Sequence, residues 1–299
     1  MQVLMTGSSG LIGTTLRSFL GGGGHRVRQL LRTASASDDT TSWNPAEGTF
    51  AAGAFDGIDA VVHLAGESIA SGRWTAARKA RIRESRVTGT RQVCEELARH
   101  DTPPKVLVSA SAIGFYGDRG DEVLGESAAA GSGFLPEVCQ AWEAAVAPAR
   151  ERGIRVVHLR IGIVLSPLGG ALAKMLLPFK LGVGGVLGNG DQYMSWIAVD
   201  DLLGIVLHAL TDDSVSGPVN AVAPQAVTNR EFTKTLGTVL HRPTVLPAPA
   251  FALRLALGEM ADALLLASTR VDPAVLRTTG FEFAYPHLEG ALRHALGRH

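Results

Sequence analysis

Thr6-Gly7-Ser8-Ser9-Gly10-Leu11-Ile12-Gly13 follows directly on the apolar run Val3-Leu4-Met5, and its reading decides the fold. Gly7 permits a tight bend, Gly10 lets the backbone approach a pyrophosphate, and Gly13 lets the next helix pack against the strand. Leu11 to Leu20 then carries apolar residues at helical spacing: Leu11, Ile12, Leu16, Phe19 and Leu20. Gly21 to Gly24 ends that helix, and Val27 to Leu31 reads as a second strand. Strand, glycine turn, helix and strand make one βαβ unit within about thirty residues. The free N–H groups at its helix start face where phosphate oxygens would lie.

The end of the second strand selects among dinucleotides. A site for NAD places a carboxylate there to hold the ribose hydroxyls, whereas this chain reads Leu31-Arg32-Thr33. A guanidinium pairs bidentately with a 2′-phosphate, so Arg32 favours NADP(H); a solvent-facing arginine is the alternative.

Outward from this unit the alternation continues. Ala60 to Leu64, Val106 to Ser109 and Val156 to Arg160 read as strands, with helices across Thr75 to His100 and Pro136 to Glu151. The expected fold class is α/β, a Rossmann-type doubly wound parallel sheet with a smaller, interleaved C-terminal α/β lobe. Residues 1–165 form the NADP-binding domain, with 190–215 returning to it, and 166–189 and 216–299 form the smaller, substrate-side lobe. Thr228-Asn229-Arg230-Glu231 is a capping box that starts a helix at Asn229.

With 46% hydrophobic and 19% charged residues, the 299-residue chain has the composition of a globular enzyme. Its 28 basic residues balance its 28 acidic ones, which gives no field for nucleic acid. Cys94 and Cys139 lack metal-ligand spacing and read as reduced thiols of a cytoplasmic protein. A strand beginning at residue 2 leaves no room for a signal peptide, and Arg254, Glu259 and Asp262 interrupt the apolar stretch Phe251 to Leu266. That stretch reads as an amphipathic helix of the small lobe rather than a transmembrane segment, with membrane-surface contact as the alternative. The expected partner is a small-molecule substrate, and a homodimer is the oligomer left open.

These residues resemble the extended short-chain dehydrogenase/reductase superfamily: the glycine turn, His63-Leu64-Ala65-Gly66, Ser109-Ala110-Ser111, and Gly188 to Gln192 followed by Trp196 to Leu202. They resemble most its atypical "epimerase family" of NADP-binding proteins, which has its own C-terminal domain of unknown function. The blocks carrying this are Leu64 to Ile69, Gly72-Arg73-Trp74, Glu84 to Val87, Ser111 to Asp118, Trp142 to Ala145 and Met175 to Phe179. Members carry nucleoside-diphosphate-sugar epimerase or SulA-like labels. The resemblance implies a cofactor site: Gly7, Ser9, Gly10, Leu11, Ile12 and Gly13 in the turn, Arg32 at the 2′-phosphate, Leu64, Ala65 and Gly66 at the adenosine and ribose, Glu67 beside them, and Ala110 at the nicotinamide.

The resemblance also implies a Tyr-x-x-x-Lys pair, and here the chain departs from it. Aligned on Glu143, Leu135 falls at the Tyr position and Cys139 at the Lys position, and neither side chain supplies that proton chemistry. Arg86 stands where a water-ordering Asn is expected; it contacts cofactor or substrate, or pairs with Glu84 or Glu143. Ser111 survives. The candidate replacement acids are Tyr116, five residues on, and Glu67, against the alternatives of a packed loop aromatic and a ribose or solvent contact. Lys174, Trp196, Cys139, His63, His158 and His208 read as solvated or packed residues. The expectation is an NADP(H)-dependent oxidoreductase or epimerase (isomerase) acting on a small molecule, with a catalytically silent NADP(H)-binding sensor as its rival.

Overall fold

A computed structural model describes residues 1–33, 37 and 39–298. In chain order its strands are β1 Gln2–Thr6, β2 Arg26–Leu31, β3 Thr40–Asn44, β4 Thr49–Phe50, β5 Ala60–His63, β6 Val106–Ala112, β7 Val123–Leu124, β8 Arg155–Ile161, β9 Ile163–Leu165, β10 Tyr193–Met194, β11 Trp196–Ala198, β12 Gly217–Ala221, β13 Val227–Thr228 and β14 Arg270–Val271. The principal helices are α1 Leu11–Gly22, α2 Ala76–Arg99, α3 Phe134–Ala144, α4 Ala147–Glu151, α5 Gly170–Lys180, α6 Val199–Thr211, α7 Asn229–Leu240 and α8 Ala250–Leu257.

Eight strands form the main sheet in the order β12-β8-β6-β5-β1-β2-β3-β4, all parallel except β4 against β3. Strand order therefore reverses between β1 and β5, which opens a crevice at their carboxyl ends. Both faces of β1 are covered. Val3 and Met5 join the core cluster of α1 and α6, while Leu4 joins the cluster holding Val93, Cys94 and Leu97 of α2. That double burial explains the unbroken apolar run, since each such side chain contributes roughly 1.5–3 kcal/mol when fully buried.

Local signals place several boundaries. The Thr75 hydroxyl accepts from the Arg78 N–H and caps α2. Thr228 and Glu231 form the reciprocal capping box that starts α7 at Asn229. The helix expected over Pro136 to Glu151 is two, α3 and α4, with the Ala145-Val146 step between them and Pro148 in the first turn of α4. The sheet also takes in β12 as an edge strand, so the returning segment runs on to Ala221. Beyond it, α5 packs on α7, and three small ladders (β9–β11, β10–β13 and β7–β14) build the ceiling above the carboxyl ends of β6, β8 and β12. Phe251 and Leu255, one turn apart on α8, remain exposed. No helix among the described residues is long and apolar enough to cross a membrane.

At Gly13 a Cβ would lie 2.3 Å from the Gly7 carbonyl oxygen and 2.7 Å from the Ser8 Cα, both rigid backbone. Gly13→Ala should therefore push α1 off the turn. Overpacking of this kind costs about 1–3 kcal/mol, to be read as a lowered midpoint in urea. An unchanged midpoint would show that α1 yields without strain.

Candidate functional site

The glycine turn closes through the Gly10 N–H on the Gly7 carbonyl at 3.0 Å and the Thr14 N–H on Gly10 at 2.9 Å. Gly7 has φ +67, and a Cβ there would meet the Leu64 carbonyl carbon at 2.7 Å. Only glycine fits both demands. Gly10 caps α1 without a side chain, so the first N–H groups of the helix, from Leu11, Ile12 and Gly13, carry no side-chain cap. Their partial positive charge faces the crevice as an anion would require. Arg32, just past β2, is exposed and makes no hydrogen bond or ion pair among the described residues.

A buried polar chain fixes the other wall. Thr6 Oγ1 accepts the N–H groups of Leu64 and Ala65, each at 3.2 Å. Its own hydroxyl must then donate to His63 Nδ1 at 2.8 Å. His63 therefore carries its proton on Nε2 and donates to Thr90 Oγ1 at 2.9 Å, which also accepts from the Trp142 indole at 2.9 Å. Burial lowers the His63 pKa to about 4, so the ring is neutral. The core reading of His63 omitted this bracing role. Its signal was present: Thr6 and His63 are register partners, each closing an apolar strand.

Arg86 pairs with neither Glu84 nor Glu143 among the described residues. It donates to the carbonyls of Glu67 at 3.0 Å and Ile82 at 3.1 Å, and its guanidinium lies 5.0 Å from the Trp142 ring centre. A Cβ on Gly66 would be 3.2 Å from its Cζ. Burial pulls the Arg86 pKa down, against the opposing pull of Cys139 and Glu67. The Glu67 carboxylate lies 3.4 Å from both Arg78 and Arg81, and its N–H donates to Ser85 Oγ. Leu135 and Cys139 of α3 line the turn at Gly114. Burial pushes the Cys139 thiol up to about 12, which leaves it unionised.

Ser111 and Tyr116 belong to one network. Ser111 Oγ donates to Glu143 at 2.7 Å, and Arg160 forks onto both Glu143 oxygens at 2.9 Å. Burial alone would raise the Glu143 pKa, but hydrogen bonds from Arg160 and Ser111 outweigh it and hold the carboxyl below its ordinary value. Arg160 also donates to the Tyr116 hydroxyl at 2.9 Å, and Tyr116 donates to Asn220 Oδ1 at 2.7 Å. Tyr116 is 0% exposed, and burial raises its pKa. The candidacy of Tyr116 as an acid facing substrate is corrected by this placement, because its hydroxyl is sealed inside the network. The packed-aromatic alternative describes its position. The Glu143–Arg160 pair that organises the network was not anticipated; in the sequence Glu143 aligns α3 and is a possible partner of Arg86.

The sequence model of the NAD dependent epimerase/dehydratase family matches residues 3–222, and that of a domain of unknown function (DUF1731) matches residues 248–295. The chain belongs to the NAD-dependent epimerase/dehydratase family. It is 43% identical over 296 residues to an epimerase family protein of Mycobacterium bovis, covering 99% of this chain and 98% of the relative. The crystal structure of human epimerase family protein SDR39U1 (isoform 2) with NADPH superposes with a TM-score of 0.91 at 33% identity, over 99% of each chain. A nucleoside-diphosphate sugar epimerase from Corynebacterium glutamicum gives 0.82 at 40% identity, covering 99% of this chain and 58% of that one.

Two buried neutral histidines make stability pH-dependent. Burial holds both His63 and His158 at about 4, against 6.5 for an unperturbed ring. The unfolded chain therefore binds more protons than the folded one across this window. Stability should be full above about pH 6.5 and fall towards pH 4, by about 3 kcal/mol at most for each ring. Urea midpoints at pH 7.5, 6 and 5 read the slope, and His63→Gln should flatten it by about half. A slope unchanged in that variant would remove His63 from the account.

Proposed function

We propose that this protein is an NADP(H)-binding, atypical short-chain dehydrogenase/reductase, acting in the cytoplasm as an oxidoreductase or epimerase on a small molecule without a Tyr-x-x-x-Lys pair. The observation that carries it is the uncapped N-terminus of α1 at the strand reversal, with Arg32 at the end of β2 unpaired among the described residues. The NADPH in the crystal structure of the human relative supports the same cofactor here. Gly7, Ser9, Gly10, Leu11, Ile12 and Gly13 would receive the pyrophosphate, Arg32 the 2′-phosphate, Leu64, Ala65 and Gly66 the adenosine side, and Ala110 the nicotinamide side. Arg86 and Glu67 shape the loop beside that site through the Glu67 carbonyl. When bound, the nicotinamide supplies hydride chemistry, and the protein supplies orientation and electrostatics.

Ser111 is the residue we assign to the substrate. Ser111 is buried and its proton is committed to Glu143, so its oxygen would meet a substrate hydroxyl as an acceptor. Glu143 and Arg160 hold that orientation, and Tyr116 supports them from behind. The sensor reading keeps one observation in its favour: Leu135 and Cys139 stand on the helix where an acid and its activating amine would be needed.

Fluorescence titration should show NADPH binding at least about tenfold tighter than NADH, or ~1.4 kcal/mol. Arg32→Ala should erase most of that difference, and equal affinities in the unaltered protein would refute the role of Arg32. Absorbance assays with NADPH and a panel of hydroxylated carbonyl compounds should show turnover that falls about tenfold in Ser111→Ala, about what one substrate hydrogen bond contributes. Tight NADPH binding with no turnover on any compound would favour the sensor.

A further inference from the structure

A segment with no helix or strand of its own is held by whatever side chains reach its backbone. Leu64 to Thr75, between β5 and α2, is such a segment, and it leaves the very end of the strand that meets the glycine turn. Four successive carbonyls in it accept from side chains. Glu67 is held by Arg86 at 3.0 Å, Ser68 by Arg78 at 2.6 Å, Ile69 by the Trp74 indole at 2.8 Å, and Ala70 by Lys174 at 2.8 Å. Arg86 and Arg78 stand on α2 and Trp74 on the segment itself, so these three join the strap and α2 into one body. Lys174 comes from α5.

That last bond closes a ring over the crevice. α5 starts against the other lip: a Cβ on Gly170, its first residue, would lie 3.3 Å from the Leu11 side chain at the start of α1. One arm therefore rises from Leu11 along α5, and the other from Leu64 along the strap. The Lys174 ammonium fastens them together above the uncapped N-terminus of α1. A second fastening runs to the C-terminal lobe, where Arg73 donates to the Leu255 carbonyl of α8 at 2.7 Å. Lys79 pairs with Glu259 just past α8, and ties the start of α2 to the same place. Lys174 and Arg73 are both exposed, so water competes for each bond and neither is strong.

We propose that residues 64–75 form a gate over the dinucleotide crevice, latched by Lys174 on Ala70 and by Arg73 on Leu255, and that its opening sets how fast NADPH enters and leaves. The proposal rests on the cofactor reading. It also gives α8, within the domain of unknown function matched at 248–295, a part to play as the post of the second latch. A latch holds the closed state of free and loaded protein alike. Its loss raises the open fraction in both, so entry and exit quicken by a similar factor and affinity moves little. Loss of a residue that touches NADPH directly quickens exit alone.

The test is stopped-flow fluorescence of NADPH with the full-length protein, which gives the association and dissociation rates separately. Lys174→Ala and Arg73→Ala should each raise both rates about three- to tenfold, the worth of one exposed hydrogen bond, with Kd changed less than about twofold. Lys174→Arg, which keeps a donor, should stay close to the unaltered rates. Hydrogen exchange of the amides of 68–73 in the free protein should quicken in both alanine variants. Unchanged rates in both overturn the proposal, and so does a faster dissociation with association unchanged, which would mark direct contact with NADPH. Failure of NADPH to bind would refute the cofactor reading instead. The exchange of the strap amides then decides the latch by itself, and no quickening overturns it.

Discussion

The ligand side of this molecule depends on one backbone contact, the approach of Gly7 at the end of β1 to Leu64 at the end of β5. There is no room between them for a methyl group, since a Cβ on Gly7 would stand 2.7 Å from the Leu64 carbonyl carbon. Because these strands flank the reversal of strand order, that closeness sets the width of the crevice and the direction in which α1 leaves it. The hydroxyl of Thr6 then ties the two strand ends together by accepting both the Leu64 and the Ala65 N–H groups. A neutral His63 completes the tie, which reaches α2 through Thr90 and α3 through Trp142. Helix α3 is thus braced against the strand that carries the glycine turn.

A second, charged brace lies under β6. Arg160 and Glu143 are nearly withdrawn from water, and breaking such a pair by removing one partner costs about 3–5 kcal/mol, because the survivor is left uncompensated. The same guanidinium lies 3.5 Å from the centre of the Phe115 ring and reaches the Tyr116 hydroxyl and the Glu126 carbonyl. Asn220 of β12 continues the chain to the Asp272 carbonyl, and Glu126 accepts the Val275 N–H. The C-terminal segment is therefore fastened to the sheet through buried polar groups as well as apolar ones. Its position over the cleft is specified by hydrogen bonds that admit few alternatives.

The features read correctly from sequence are those whose physics is local. A glycine turn between a strand and a helix, a capping box and an apolar run buried on both faces each show themselves within a dozen residues. The fold followed from them. Tyr116 resisted because its partners, Arg160 and Asn220, are 44 and 104 residues away, and nothing near Tyr116 signals that its hydroxyl is enclosed. Arg86 resisted for a different reason. Glu84 and Glu143 offered obvious charges, but the backbone carbonyls of Glu67 and Ile82 took the guanidinium, and carbonyls leave no mark in a sequence. Strand β3, Thr40 to Asn44, is polar but for Trp43 and shows no apolar run, and β4 has only two residues.

Holding a dinucleotide and carrying out chemistry on it make separate demands, and here they fall on separate parts of the fold. The first needs backbone N–H groups and tight glycines, which β1, α1 and the end of β5 supply whatever lies above them. The second needs a proton carrier facing the cleft, and the groups able to be one are spoken for: Tyr116 by Asn220, and Cys139 by a burial that keeps its thiol protonated. Ser111 stands between these two demands. Its oxygen lies at the exit of β6, and its proton points back to Glu143. An enzyme of the kind proposed would need its acid from the ceiling above the sheet or from the substrate itself. That places the chemical individuality of the protein in the segment after β12, where the sheet no longer dictates what each residue must be.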